Sequence, residues 1–228
     1  MNTSSSSSSS SNASPVNGHA AKILDDCSSD LFSTAASQKS LVTDLFTAIR
    51  YRKVADVIRL APLVDDLDSH LDNNYNERPL MLAARHDLPV AALRPLLARS
   101  NARLTNADGA TPLMLAAWGA RPYSADLARL LLPVSDPLAL CGKNSALRYA
   151  IRAYCSNQHS TDTISLLLPV SDLAQRDMEG LDPLAQARRA DLDQVAKLIF
   201  GEMARRDAEA IARCADIAPP LNSRAPRL

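Results

Sequence analysis

The residues best able to do chemistry are a cysteine and a histidine on one short stretch, Cys155 and His159. A thiol beside an imidazole can become a thiolate nucleophile, but the arrangement needs a third group to orient the base. No such group stands at a recognisable spacing. The chain has no G-x-S-x-G, H-E-x-x-H, Walker loop or G-x-G-x-x-G. Its 6 glycines leave little material for a phosphate cradle. The histidines (His19, His70, His86, His159) and cysteines (Cys27, Cys141, Cys155, Cys214) show no metal-ligand spacing. Without a C-x-x-C pair, the cysteines read as reduced thiols in a cytosolic protein. The expectation is a chain that is not an enzyme and takes no cofactor and no metal.

Recognition chemistry is better represented. Trp118, the only tryptophan, is followed by Arg121 and Tyr123, and Tyr154 lies 36 residues further on. Trp, Tyr and Arg are the types that dominate binding hot spots. The bland alternative for Trp118 is core packing beneath the segment that follows it. Arg85, Arg188 and Arg189 offer guanidinium groups to an acidic partner, or simply stay solvated. A third set sits in polar turn sequences: Asn74, Tyr75, Asn106, Asp108, Lys143, Asn144, Asp177 and Glu179. These are candidate contacts at exposed tips, or plain turn formers.

Charge and composition narrow the partner. The 25 Lys+Arg balance 25 Asp+Glu, which argues against a strongly basic nucleic-acid binder. No apolar window approaches the roughly 18 residues of a membrane span. Apolar residues make up 46% of the chain, enough for a packed core. The first part of the chain differs. Residues 1–38 hold 15 Ser or Thr, with an unbroken run from Ser4 to Ser11 and no acid before Asp25. Such a segment cannot bury enough apolar surface to offset its ordering entropy, so a disordered arm is expected there. It lacks the basic and apolar regions of a secretory signal peptide. Pro219, Pro220 and Pro226 predict an irregular tail over 217–228. Between Arg59 and Arg78 the acids Asp65, Asp66, Asp68, Asp72 and Glu77 gather without a Lys or Arg, whereas residues 78–180 carry 11 basic against 8 acidic residues. That separation can orient a partner or keep one end soluble.

The elements that must position these residues are repeats. Arg78-Pro79-Leu80-Met81-Leu82-Ala83-Ala84 returns 33 residues later as Thr111-Pro112-Leu113-Met114-Leu115-Ala116-Ala117. Degraded copies follow at Ser145-Ala146-Leu147-Arg148-Tyr149-Ala150 and Asp182-Pro183-Leu184-Ala185-Gln186-Ala187. In phase with them, Leu130-Leu131-Leu132-Pro133-Val134-Ser135-Asp136 recurs as Leu166-Leu167-Leu168-Pro169-Val170-Ser171-Asp172. Each unit reads as helix-turn-helix. Thr111 caps a helix whose first turn takes Pro112, where a missing N–H is harmless. The alanines leave a thin helix for close packing, and Leu130 to Leu132 supply the second helix's apolar face. Pro133 or Pro169 ends that helix. Asn106-Ala107-Asp108-Gly109 and Asp177-Met178-Glu179-Gly180 then reverse the chain.

These phrases resemble the ankyrin repeat, whose signature T-P-L-H-x-A is close to Thr111-Pro112-Leu113-Met114-Leu115-Ala116. The resemblance implies an all-α solenoid of about five units over residues 39–216, with a leading unit near Leu45–Ile49 and Val57–Leu60. It further implies a protein partner, no nucleic acid, and a single-copy molecule that displays its tips rigidly. Departures are specific. Met81 and Met114 replace the signature histidine, and the third unit loses both Thr and Pro. The segments Gly119–Ala125 and Cys155–Asp162 exceed the family's short inter-helix turn and are expected to protrude. The serine-rich arm resembles the export signals of type III secreted bacterial effectors. That likeness implies a bacterial cytoplasmic protein delivered into a host cell; the alternative is an adaptor or inhibitor retained in the bacterium.

Overall fold

A computed structural model describes residues 37–69, 76–119, 122–157 and 160–217. The bulk of the expected arm, the rest of the tail, and Asn74, Tyr75, Arg121 and His159 lie outside the described residues. The chain divides into one unit over 1–41 and another over 42–228. Helical backbone runs over 37–50, and α1 denotes its part in the second unit, 42–50.

The second unit alternates two rows of helices. The first helices are α1, α3 (Pro79–Arg85), α5 (Pro112–Trp118), α7 (Ala146–Asn157) and α9 (Pro183–Arg189). The second helices are α2 (Val54–Leu60), α4 (Val90–Leu97), α6 (Ser124–Leu131), α8 (Asp162–Leu167) and α10 (Asp193–Ile217). From α3 onward, the two helices of each pair pack together. Along the stack, α3 meets α5, α5 meets α7 and α7 meets α9, while α2, α4, α6 and α8 form the parallel row. The five helix pairs are those expected from the sequence phase, and the described residues contain no strand beyond a single bridge between Cys141 and Asn144.

Local chemistry explains each element. Pro79, Pro112 and Pro183 occupy the first turns, where no backbone donor is missed. The Thr111 hydroxyl accepts from the Met114 N–H and the Asp182 carboxylate from the Ala185 N–H, at 3.3 and 2.7 Å. Leu80, Leu82, Leu113, Leu127, Leu131, Leu147, Leu167 and Val195 fill the space between rows. The paired alanines 83/84 and 116/117 are buried too, so neighbouring first helices approach closely. Short 3-10 turns, Ala61–Leu63 and Leu168–Val170, follow α2 and α8. Each carries a proline that prevents the α-helix from continuing.

Three corners between paired helices share a geometry that composition conceals. Arg52, Asp87 and Asp191 hold φ of 56°, 52° and 54°, the left-handed region in which glycine is the usual choice. The α5–α6 and α7–α8 links have no such residue among their described positions, and these are the two links that the sequence marks as long. One expectation needs correction here. The second long segment does not begin at Cys155, because α7 runs on to Asn157 and Cys155 is an exposed helical residue. Alanine, tyrosine and serine after Arg152 supply nothing that stops a helix. Likewise α10 extends through Ile217, one residue into the expected tail, and helix already begins at residue 37.

Candidate functional site

The turns that link the units are built from side chains read as tips. The Asn106 amide oxygen accepts the backbone N–H groups of Asp108 and Ala110, at 3.1 and 2.8 Å, and Asn106 is buried. Asp177 repeats the pattern with Glu179 and Leu181, both at 2.9 Å. Both residues are therefore committed to shaping their own turn. Gly109 and Gly180, with φ of 85° and 78°, complete turns that an L side chain would strain. Asp108 and Lys143 are exposed at their tips, and Asn144 is half-buried in its bridge to Cys141.

The fourth of these turns is held by a group the sequence reading missed. Arg148 occupies the position of Met81 and Met114, and its side chain is 0% exposed. Its guanidinium donates to the Asp177 carboxylate at 3.1 Å, to the Gln186 amide oxygen at 3.0 Å, and to the carbonyls of Gln175 and Leu181. Burial draws its pKa down while Asp177 and Asp182 oppose that shift. Asp177 feels burial in the other direction, yet the N–H groups of Leu181 and Glu179, together with Arg148, hold its carboxyl below the ordinary range. The available signal was a charge at an apolar position of the helical period.

Beside this ion pair lies the densest set of recognition residues. Trp118 ends α5 and is 47% exposed. It does not pack as core beneath the following link. Instead its ring and that of Tyr149 on α7 meet in a T-shaped pair, with centroids 5.4 Å apart and planes at 75°. The Arg152 guanidinium sits 5.6 Å from the Trp118 ring centroid, an attractive cation–π distance. Tyr149 is pushed up to about 12, first by burial and then by its hydrogen bond with Cys141, so it remains a neutral phenol. The Cys141 thiol in turn donates to the Asp108 carbonyl, at 2.9 Å. These contacts fix Trp118 while leaving half of it open. Next to it opens a groove of about 410 Å³, lined by Asn144, Arg152, Met178, Glu179, Gln186 and Arg189. Arg189 and Glu179 form an ion pair across its rim, and Met178 is 82% exposed at the tip.

The other expected residues scatter around this centre. Arg188 is exposed on α9. Arg85 reaches back to the buried Glu77 at 2.8 Å, so its charge is largely spent within the chain. Tyr123 is partly exposed, with its backbone N–H directed at Asp87. The Tyr154 hydroxyl donates to Gln194 at 3.2 Å, tying α7 to α10. The acidic segment is also internally engaged: Asp68 accepts from the Asn101 N–H, and Glu77 pairs with Arg85. No group of three potential metal ligands occurs among the described residues. No described helix is long and apolar enough to cross a membrane.

Comparison with known proteins bears on the fold. A solved ankyrin repeat domain from Acinetobacter baumannii is similar in structure, with a TM-score of 0.60 and 22% identity, covering 69% of this chain and 80% of that one. The fold is an ankyrin-repeat stack. No family model and no curated protein sequence matches the chain. In ankyrin terms, the buried Arg148 stands where the signature histidine would be.

Proposed function

We propose that the chain is a protein-binding module whose docking surface is the face formed by α5, α7 and α9 with the turn tips beside them. The observation that carries this reading is the half-exposed Trp118, immobilised by Tyr149 and Arg152 at the edge of an open groove. A tryptophan already held in place loses little rotamer entropy when a partner covers it. Stacked repeats supply the rigidity, since each helix is braced by both neighbours. Arg152 in the groove, with the exposed Arg188 beyond it, suits a protein segment that presents an acidic residue next to an apolar one, whereas Arg189 is already paired with Glu179. Tyr123, Asp108, Lys143 and Glu179 would border the contact. Partner capture by the full chain should fall at least about tenfold in affinity with Trp118→Ala, the loss of a hot-spot residue. Equal affinity would put the docking surface elsewhere.

Delivery into a host cell is the finer part of the same proposal, supported by the Ser/Thr-rich composition of the arm and the lack of any acid before Asp25. Residues 1–40 fused to a reporter should be translocated by a bacterium with a type III system. Absence of export would leave a binding module that acts inside the bacterium.

A further inference from the structure

One position of the first helices changes character along the stack. Counted from the residue before each helix, Arg85, Trp118, Arg152 and Arg189 occupy the same place on α3, α5, α7 and α9. These four helices contain no Asp or Glu, so an acid for their arginines has to come from the turns. Two turns supply it at this position: Glu77 pairs with Arg85 at 2.8 Å, and Glu179 pairs with Arg189. Asp177 does the same for the buried Arg148. The turn before α7 differs. It reads Cys141-Gly142-Lys143-Asn144, with an amide where the turn before α3 has Glu77 and a cation next to it. Arg152 is therefore left without a carboxylate among the described residues. Its one hydrogen bond outside the helix ladder is accepted by its carbonyl, from the Ser156 hydroxyl. The guanidinium lies over Trp118, a contact that uses its charge but none of its five N–H donors. Arg152 and Asn144 both line the groove, and the two acids that line it, Asp177 and Glu179, are already paired. The exposed Asp108 belongs to the tip before α5 and does not line it.

We infer that Arg152 sets the specificity of the docking face, and that the partner supplies the acid this turn lacks. The group is an Asp or Glu side chain seated in the groove beside Asn144, on a segment whose nearby apolar side chain covers Trp118. This rests on the docking reading above and deepens it by naming what the partner carries. A guanidinium takes a carboxylate through two parallel N–H donors, with more energy and more geometric selectivity than a single hydrogen bond. The indole already restrains Arg152, so pairing costs it less side-chain entropy than it costs a free surface arginine. In an extended segment, side chains two residues apart share one face at about 6.6 Å. That spacing is close to the 5.6 Å between the Trp118 ring centroid and the Arg152 guanidinium. A basic segment would find no unpaired carboxylate lining the groove. It would also meet Lys143 and Arg188, both exposed and adjacent in sequence to lining residues.

A phage-displayed library of random peptides, selected on the full chain, tests this. Peptides whose binding is lost with Trp118→Ala define the face. Among them an Asp or Glu should recur. Changing that residue to Asn or Gln in a synthetic copy of the peptide should weaken binding at least about tenfold, and so should Arg152→Gln in the chain. Both changes together should weaken it no further, because they remove the same contact. Asn144→Glu builds the Glu77 arrangement into this turn, and by occupying Arg152 from within it should also weaken the acidic peptide at least about tenfold. Arg152 is exposed, so the melting of Arg152→Gln should match the parent's. Three results overturn the inference and leave the docking reading standing: Trp118-dependent peptides without a recurring acid, an acid indifferent to Arg152→Gln, or undiminished binding by Asn144→Glu. A library that yields no peptide, or only peptides indifferent to Trp118→Ala, overturns both.

Discussion

Two turns of the stack solve one problem with different chemistry. Before α5 the chain reverses at Asn106, and the matching position on the preceding first helix is Met81, a buried thioether. Before α9 it reverses at Asp177, and the matching position is Arg148. Both turn residues accept the same two backbone N–H groups, two and four positions on. Only the second also spends an oxygen on a guanidinium. The neutral turn goes with an apolar helix position and the charged turn with a cation, a pairing that predicts the two residues to be exchangeable only together. A buried ion pair is weak grounds for added stability but costs much to break on one side. The difference therefore lies in what each turn tolerates.

Substitutions can break that comparison. Arg148→Met should cost about 3–5 kcal/mol in urea unfolding, because it leaves the Asp177 carboxylate and two carbonyls without their donor. Asn106→Ala removes a neutral acceptor from two N–H groups and should cost about 1–3 kcal/mol. Combining Arg148→Met with Asp177→Asn recreates the other turn. It should unfold within about 1 kcal/mol of the parent if the two are exchangeable; a double variant as unstable as Arg148→Met would show that they are not. The smallest effect is in pH. A carboxyl held below its usual range contributes stability that is complete above about pH 4, its unfolded value, and is lost as pH falls through the folded value. The parent should therefore lose more stability than the double variant between neutral pH and about pH 3. Parallel acid unfolding curves would contradict that account of Asp177.

The same contrast shows what a sequence can reveal. The units were legible because Pro-Leu-Met-Leu-Ala-Ala is local: its caps, proline and alanine pair act within a few residues of themselves. Arg148 was not legible as a brace, since its partners stand 27 to 38 positions away and meet it only once two units are stacked. Trp118 was singled out by type, yet what exposes and fixes it, Tyr149 and Arg152, belongs to the next unit. Asn106 and Asp177 were recognised as turn residues, but not that their side chains are consumed in making the turn. The left-handed corners at Arg52, Asp87 and Asp191 gave no signal because none is glycine. The continuation of α7 past Cys155 shows the opposite error, in which a polar stretch reads as a link although nothing in it stops a helix.

Arg99 donates to the carbonyls of Ala61, Pro62 and Asp65 after α2, and Arg206 to those of Leu168 and Ser171 after α8. A linear array ordinarily frays from its ends, where each unit has a single neighbour. Here a guanidinium clasp closes the joint next to each end. Pulled from its termini, such a chain should hold these two clasped joints closed after the segments beyond them have come away.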